Sequence, residues 1–460
     1  MRPKNQSARD QLLTVLARHP RSSASVLAES LGVSVPTLHR LLAEVAGHVV
    51  VNGKARRTRY ALRRPLRGQA AELPLYEVDT AGRAEALASL ALVHPEGTRM
   101  ALEGSGWPVP EESRDGWWHG LPYPLYDMRP QGYMGRQFAR AEHRQLALPA
   151  DPQAWSDDDI VVALNQRGAD LSGNLLLGDP AFERWQAAKL VAPQPLRAAG
   201  IGRAYAALAE HAIAAGVAGS SAAGEFPKFA ALRELAGSAT PHVLVKFSGA
   251  DGSAAVRRWS DLLVCEHLAL ECAATMPEAR SARSRIVTHL GRTFLEVERF
   301  DRHGLFGRSR LSSLATLNAA LLGEGSTDWV VLAGRFVASG LLAPGDAQRI
   351  DQLWWFGRLI ANTDMHTGNL SFIARQNTLT LAPAYDMLPM LYAPLPGGEV
   401  PTRTFEPRLP LPAQRSVWNT AGAAALLFWS RAAADSRVSD AFRKTCRANA
   451  QRLQELAAHA

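Results

Sequence analysis

Residues 362–388 read NTDMHTGNLSFIARQNTLTLAPAYDML, and the interpretation of the whole chain works outward from this stretch. Asp364 and Asn369 are five positions apart, and Asp386 follows two short β-prone runs. A carboxylate on a loop can accept a proton, and carboxylate and amide oxygens can hold Mg²⁺ beside phosphate oxygens. The stretch therefore predicts a polar site carried by a loop and a hairpin.

The spacing Asp-x-x-x-x-Asn is that of a protein-kinase catalytic loop. In such a loop the Asp accepts the proton of the substrate hydroxyl and the Asn holds a metal ion, and a metal-binding Asp comes later in the chain. An alternative is a metal-dependent hydrolase or nuclease that uses Asp364, His366 and Asp386, although no cluster with zinc-like spacing accompanies them. Because such Asp–Asn pairs are common, the kinase interpretation depends on the segments that precede this pair.

Residues 242–248, HVLVKFS, predict a β-strand with Lys246 in its interior. Kinases place a Lys on such a strand to hold ATP phosphates, and a buried Lys needs an anionic partner. The chain has 45 Arg but only 6 Lys, which favours a specific role for this ammonium group. The next helix offers three carboxylates as its partner, among which the sequence does not decide: Glu266, Asp261 and the weaker candidate Glu271.

Two further segments fit the same order. Residues 219–229, GSSAAGEFPKF, predict a small-residue loop whose backbone N–H groups face phosphate oxygens, followed by Lys228. Residues 294–302, FLEVERFDR, predict a strand that ends in a charged turn, as in a hinge that contacts adenine. Each segment is weak alone, and the prediction comes from the ordered set.

The positive charge of the chain is concentrated at its start. The net charge is +8, and residues 1–70 contain 13 Lys and Arg against 3 Asp and Glu. A local basic patch attracts polyanions through counterion release. Periodic apolar residues up to Pro20, a second helix that ends at Gly32 and a third from Ser34 predict a helix-turn-helix, with a hairpin around Asn52-Gly53 as its wing.

Residues 1–67, which we call the head, predict an interface with DNA. A small three-helix unit with a hairpin also suits protein docking. We expect DNA contacts from the third helix and the hairpin, namely from Ser34, Thr37, His39, Arg40, Lys54, Arg56, Arg57 and Arg59. Because helix-turn-helix proteins often bind paired half-sites, a homodimer is compatible with this head.

Composition excludes several classes of protein. The 47% apolar and 20% charged residues are ordinary for a globular chain. Three cysteines without metal-site spacing argue against a disulfide scaffold and favour a reducing compartment. The polar start MRPKNQSARD is not a signal peptide, and no apolar run approaches the roughly 18–20 residues of a membrane span. We expect a cytoplasmic protein without a membrane partner.

The sequence resembles the HipA-like serine/threonine kinases, the toxin components of bacterial toxin–antitoxin systems. Three segments carry the resemblance: VERFDR at 297–302, N-T-D-x-H-x-x-N at 362–369 and L-x-P-x-Y-D at 381–386. The similarity covers roughly residues 76–450. The basic helix-turn-helix in front is typical of the YjjJ-type (HipH) branch of the family.

The resemblance implies a role for each matching position. Asp364 is the implied catalytic base, and Asn369 and Asp386 are the implied Mg²⁺ ligands. The implied autophosphorylation site is Ser221, with Ser220 as the adjacent alternative. The implied ATP contacts are Ala223, Gly224, Glu225, Phe226, Pro227, Lys228, Lys246, Glu298, Arg299, Phe300, His366, Thr367, Gly368, Asn369, Tyr385 and Asp386. The implied substrate is a protein hydroxyl, with aminoacyl-tRNA synthetases or other translation factors as the class.

The sequence also departs from the family. Phe226 and Pro227 stand where small polar residues are usual in the family. An ungapped match also places Leu262 near the position at which the family has its helix carboxylate. An alternative is therefore a transcriptional regulator with a nucleotide-sensing pseudokinase region.

The predicted fold class is α+β. We expect a winged helix-turn-helix over 1–67, a kinase N-terminal lobe with a β-rich subdomain over 76–302, and a mainly helical C-terminal lobe over 303–460. In this arrangement the DNA-binding head would regulate the toxin's own expression in cis.

Overall fold

The computed structural model describes residues 4–69, 72–191, 193–214, 226–234 and 236–459. Helices and strands alternate along these ranges, which confirms the expectation of a mixed α and β protein at that level. Within the same ranges, no helix combines the length and the apolarity that crossing a membrane requires.

The first unit contains three helices and an antiparallel hairpin. Ser23 and Ser34 cap the second and third helices by accepting the N–H groups of Val26 and Thr37. Gly32, with φ 62°, ends the second helix in the left-handed region that glycine adopts readily. The elements are α1 (Lys4–Arg18), α2 (Ala24–Leu31), α3 (Val35–Glu44), β1 (Val49–Asn52) and β2 (Arg59–Leu62).

The hairpin connection is longer than the tight turn that Asn52-Gly53 indicates. Asn52 pairs with Arg59, so residues 53–58 form the connection and include a short 3₁₀ turn. Tyr60 lies opposite Val51 and is buried in the core of the three helices. Burial of Tyr60 therefore sets the register, because a shift by one residue would turn it to solvent.

The second unit is a five-stranded antiparallel sheet with helices beside it. The strand order is β6-β5-β4-β3-β7. Its core includes Leu75, Leu90 and a run of buried residues from Ile160 to Leu164. The elements are β3 (Glu72–Val78), β4 (Ala84–Leu92), β5 (Thr98–Arg99), β6 (Trp117–Trp118), α4 (Tyr123–Tyr126), α5 (Gly132–Leu146), α6 (Asp157–Arg167), β7 (Leu175–Leu177) and α7 (Asp179–Val191).

The third unit is a four-stranded antiparallel sheet between two helices. Tyr205 of the first helix packs on Phe229, Phe247 and Phe294 of the sheet. The other helix is almost entirely buried from Asp261 onward. The elements are α8 (Ile201–Ala214), β8 (Lys228–Leu232), β9 (His242–Phe247), α9 (Ala254–Ala273), β10 (Ser284–His289) and β11 (Arg292–Glu298), and the strand order is β10-β11-β9-β8.

The last unit is mainly helical and includes a small sheet of order β14-β15-β16. Two short strands enclose the RQN turn at 375–377, as the sequence predicts. The elements are β12 (Arg302–His303), β13 (Gly307–Arg308), β14 (Ser312–Ser313), α10 (Leu314–Leu317), α11 (Trp329–Ala338), α12 (Pro344–Leu359), β15 (Ser371–Arg375), β16 (Thr378–Leu381), α13 (Arg415–Ala434) and α14 (Asp440–Ala457).

The first unit is bonded to the second. His94 N–H donates to Leu62 O at 2.9 Å, so the chain after β2 continues alongside the end of β4. An apolar cluster seals this contact, and we call it the head–middle cluster: Val50, Ala61, Ala91, Val93 and Trp117. Arg64 also pairs with Asp158, and Arg67 lies 3.4 Å from Asp159. Part of the basic N-terminal run therefore holds the head on α6.

Candidate functional site

Lys246 lies in β9 and is buried, with 5% of its surface exposed. Its Nζ donates to Glu266 Oε1 at 2.7 Å and to Glu266 Oε2 at 2.8 Å, and it also contacts Asp386 Oδ1. These three side chains come from β9, α9 and the segment after β16. We call them the lysine cluster.

Strand alternation explains why Lys246 faces α9. Val245 and Phe247 point to the core beneath α8. Because side chains alternate across a sheet, Lys246 points to the opposite face. Glu266, which has no exposed surface, meets it there from the fully packed side of α9.

The other two carboxylates that the sequence offered lie elsewhere. Asp261 accepts hydrogen bonds from Ser439 N and Ser439 Oγ, both at 2.7 Å, at the start of α14. Glu271 is exposed to solvent and lies 3.3 Å from Arg431. Among the three, Glu266 is therefore the one that contacts Lys246.

Burial and charge pairing shift the pKa values of the lysine cluster in opposite directions. Burial favours a neutral amine, but Asp386 and Glu266 outweigh it and raise the pKa of Lys246. Burial likewise favours a neutral acid at Asp386, but Lys246 lowers the pKa of Asp386 overall. At Glu266 burial wins and raises the pKa to about 7, because Lys246 offsets it only in part. The ammonium and the Asp386 carboxylate are thus charged at neutral pH.

Asn362 joins the lysine cluster to the loop that carries Asp364. Its Nδ2 donates to Asp386 O at 3.3 Å, and its Oδ1 accepts from Asp364 N at 3.1 Å. Asn362 is buried, whereas Asp364 is exposed. The sequence analysis gave Asn362 no role, although it is the first residue of the quoted N-T-D stretch.

The loop from Asp364 to Asn369 is held by its own hydrogen bonds. Asn369 Nδ2 donates to Asp364 O at 2.7 Å, and His366 Nδ1 accepts from Gly368 N at 3.0 Å. Thr367, Gly368 and Asn369 form a short 3₁₀ turn. Because Asn369 uses its amide nitrogen for the hydrogen bond to Asp364 O, its Oδ1 is the atom of that amide that can bind a metal ion.

Asp386 has a left-handed backbone with φ 54°, which is uncommon for a residue other than glycine. The preceding Tyr385 fixes this conformation, because its hydroxyl donates to Gly368 O at 2.9 Å and lies 2.7 Å from Ser371 Oγ. Burial raises the pKa of Tyr385, so its phenol stays protonated as a donor. The structure therefore brings Asp364, Asn369, Tyr385 and Asp386 together.

The donor set fits Mg²⁺. In the part of the chain that is described, no group of three or more His, Cys, Asp and Glu side chains is placed to hold a metal ion. Mg²⁺, however, is usually held by one or two protein oxygens together with substrate phosphates and waters. Asp386 and Asn369 offer that set, one carboxylate and one amide oxygen.

The small-residue loop falls mostly outside the described residues. Ser220, Ser221, Ala223, Gly224 and Glu225 lie there, so their predicted roles stay predictions. The described end of the loop is Phe226, Pro227 and Lys228.

The bulky residue in this loop has a packing role. The Phe226 ring is buried and lies 4.7 Å from the Trp259 ring of α9. Pro227 O accepts from Phe247 N at 3.0 Å, and Lys228 pairs with Lys246 across the two strands. The departure from small polar residues therefore packs the described end of the loop against α9.

The predicted hinge lies at the end of β11. Two of its backbone N–H groups already have partners: Glu298 N donates to Arg283 O at 2.8 Å, and Arg299 N donates to His242 O at 3.0 Å. An adenine contact from this segment must use other backbone atoms, among them those of Phe300. The Phe300 ring lies 5.8 Å from that of Tyr385, the residue before Asp386.

A buried ion cluster stabilises this hinge, and the sequence analysis missed it. Asp301 accepts from Arg299 Nη2 at 2.9 Å and from Arg302 Nη1 at 2.6 Å. Asp170 joins through Arg302 Nη2 at 2.9 Å, and Asp301 also accepts Gly173 N at 3.0 Å. The sequence shows that Asp301 and Arg302 are charged. Their partners Asp170 and Gly173 belong to the second unit and are distant in sequence, so local patterns do not reveal the cluster.

Asp364 opens onto a cavity of about 850 Å³ that we call the Asp364 cavity. One wall is the loop with Thr363, Asp364 and His366. The opposite wall comes from the second unit, from α4 to the start of α6, and includes Arg129, Gln131, Arg136, Trp155 and Asp157. None of the three residues of the lysine cluster lines this cavity.

The head presents most of its predicted DNA contacts to solvent. Ser34, His39, Arg40, Lys54, Arg56 and Arg57 are exposed. Thr37 is half-buried, and its Oγ1 lies 2.9 Å from Ser34 Oγ. Arg59 is also half-buried and donates to Arg56 O and Thr58 O, so its guanidinium braces the connection of the hairpin.

Comparison with known families gives the class of this protein. The family model described as HipA-like C-terminal domain matches residues 220–455, and the one described as YjjJ-like toxin, middle domain, matches residues 69–186. The chain belongs to the HipA-like toxin family. Toxin YjjJ of Escherichia coli (strain K12) is 35% identical over 446 residues, which covers 97% of this chain and 98% of that protein.

Two solved structures are similar to parts of the chain. One is HipA of Shewanella oneidensis MR-1 in complex with HipB and operator DNA, with a TM-score of 0.49 and 16% identity over 82% of this chain and 95% of that one. The other is the Helicobacter pylori proinflammatory kinase CtkA, with a TM-score of 0.26 and 15% identity over 37% of this chain and 55% of that one.

Proposed function

We propose that the chain is a toxin kinase that uses ATP and Mg²⁺ to phosphorylate a serine or threonine hydroxyl of a protein. One observation carries the proposal: the buried lysine cluster is joined through Asn362 to the loop that presents the exposed Asp364. This arrangement puts a phosphate-binding ammonium and a candidate base on two sides of one short segment.

Each residue then has a role in the transfer. Lys246 binds phosphate oxygens of the nucleotide, and Glu266 positions the ammonium. Asp386 and Asn369 hold Mg²⁺, which when bound neutralises charge on the phosphates. Asp364 accepts the proton of the acceptor hydroxyl, whose oxygen bonds to the γ-phosphorus while the bond to ADP breaks. In the structure Lys246 contacts Asp386 directly. When the nucleotide binds, its phosphate oxygens therefore replace Asp386 as the partner of the Lys246 ammonium.

The head supports DNA binding in cis. Three helices with a capped turn and a hairpin with exposed basic residues suit a winged helix-turn-helix. We infer that it binds the operator of the toxin's own gene, and that paired half-sites favour a homodimer.

The test is incubation of the purified full chain with Mg-ATP, followed by intact mass and peptide mapping, with Asp364→Asn alongside. We expect one phosphate at Ser220 or Ser221 in the wild type and none in the variant. Equal phosphorylation of both proteins would remove Asp364 from the mechanism. No phosphate on a folded wild type that binds ATP would favour the nucleotide-sensing regulator, the alternative motivated by Phe226, which packs on Trp259 and stands where the family usually has a small polar residue.

A further inference from the structure

The Asp364 cavity lies on the acceptor side of the reaction. It includes Asp364 and His366, but Lys246, Glu266 and Asp386 do not line it. The lysine cluster is therefore separate from the lining of this cavity, whereas His366, an implied ATP contact, belongs to it. At about 850 Å³ the cavity has room for several side chains of a bound segment.

The wall that faces Asp364 belongs to the second unit. Its residues lie within 126–160, inside the segment that the YjjJ-like middle-domain model matches. This wall is more than 200 positions from Asp364 in sequence, and only the fold brings it there. The second unit thus contributes most of the lining of this cavity.

Arg129 is a charged group of this wall without a carboxylate of the described residues as a direct counterion. Its guanidinium lies 3.7 Å from the centre of the Tyr126 ring, and Nη2 donates to Gln131 Oε1 at 3.5 Å. No carboxylate of the described residues lies within 4.0 Å of it. Asp157, which also lines the cavity, attracts it at longer range and accepts Leu121 N at 3.1 Å.

Arg129 is half-buried and lies on the ring of Tyr126. Burial lowers the pKa of Arg129, and Asp157 offsets this only in part. The ring of Tyr126 holds the guanidinium in one plane, so its N–H groups are pre-oriented. A planar guanidinium of this kind suits carboxylate or phosphate groups, to which it donates two parallel hydrogen bonds.

We propose that the Asp364 cavity is the acceptor site and that Arg129 selects substrates with an anionic side chain near the phosphorylated hydroxyl. The inference rests on the proposed function, because it takes Asp364 as the base. The anionic group is a carboxylate or a phosphate, which share this chemistry.

The test is binding of short fluorescent serine peptides to the full chain in the presence of Mg-ADP, measured by anisotropy. The peptides carry Glu, phosphoserine, Gln or Lys beside the serine. We expect the Glu or phosphoserine peptide to bind about tenfold more tightly than the Gln peptide, as for a charged hydrogen bond. The stronger of the two identifies the anion.

Three variants make the test specific. Arg129→Gln should abolish the preference, and Arg129→Glu should reverse it toward the Lys peptide. Arg144→Gln is the matched control, because Arg144 is exposed on α5 and does not line the cavity. Its preference should equal that of the wild type.

Equal binding of the Glu, phosphoserine and Gln peptides, or a preference that survives Arg129→Gln, would overturn the inference. Adding Mg-ATP separates it from the proposed function. A charge preference without phosphate transfer would remove the kinase assignment and keep the anion site. Phosphate transfer without a charge preference would do the opposite.

Discussion

Glu266 and Glu271 lie on the same helix in opposite environments. Both oxygens of Glu266 accept from Lys246, whereas Glu271 is exposed and pairs with Arg431. Glu266→Gln keeps the shape but replaces one of the two oxygens that accept from the ammonium with an NH₂ group, so we expect phosphate transfer to fall by about 100-fold. Steady-state kinetics with Mg-ATP measure this, and Glu271→Gln should stay near wild type. Similar losses in both variants would show that the contact with Lys246 is not what matters.

Asp301 gives a prediction for stability and pH. Burial favours its neutral form, but Arg299 and Arg302 outweigh burial and lower its pKa. A lowered pKa stabilises the fold above the ordinary value near 3.8, and this contribution is lost as the pH falls toward the folded-state pKa.

Removing the Asp301 charge leaves buried arginines without their partner. We expect Asp301→Asn to reduce the free energy of unfolding by about 3–5 kcal/mol at neutral pH. The difference from wild type should shrink below about pH 4. Urea unfolding at several pH values measures it. Asp440→Asn, which removes an exposed carboxylate that pairs with Arg443, is the control and should change little.

At the scale of elements, the strands around the site could be predicted well. Residues 242–248 predict the strand that runs from His242 to Phe247, and 371–381 predict two short strands around a turn. Alternating β-branched residues and local turn chemistry specify these elements. The side of α9 that faces the sheet could not be predicted from the sequence. Packing of this buried helix on the sheet decides which of its carboxylates contacts Lys246.

Asp261 shows the consequence for α9. It accepts two hydrogen bonds from Ser439 and so joins α9 to the start of α14. Asp261→Ala should lower the free energy of unfolding by about 1 kcal/mol, because it leaves two donors of the half-buried Ser439 without their acceptor.

The affinity of the Asp261→Ala variant for nucleotide should stay unchanged, since Asp261 does not contact Lys246. Calorimetry with ATP and urea unfolding separate the two effects. Ser439→Ala closes a double-mutant cycle for the bond from Ser439 Oγ, and additive losses would show that this side-chain bond does not contribute.

At the scale of the whole molecule, the walls of the site come from distant parts of the chain. The order of Lys246, Asp364, Asn369 and Asp386 along the sequence predicted one common site, and the structure brings them together. Arg129 carried no signal, because no local pattern distinguishes an arginine that lines a cavity from one on an ordinary surface.

The head divides its basic residues between two tasks. Arg56 and Arg57 are exposed, whereas Arg64 and Arg67 pair with α6. The Arg56→Gln/Arg57→Gln protein should bind DNA more weakly, and the slope of log affinity against log salt should fall by up to about 2. Titrations at several salt concentrations measure the slope. The Arg64→Gln/Arg67→Gln protein removes the same charge and should keep the wild-type slope; equal changes would contradict this division.

The head–middle cluster limits how this protein can be taken apart. Cutting the chain after residue 67 would bare Ala91, Val93 and Trp117 together with backbone groups at the end of β4. An uncovered apolar edge of this kind attracts other chains. A shortened protein that fails to harm cells could therefore be aggregated rather than inactive. Substitutions at Lys54, Arg56 and Arg57 remove exposed positive charge from the head without exposing that edge, and they are the cleaner test of what the basic head contributes to the toxin.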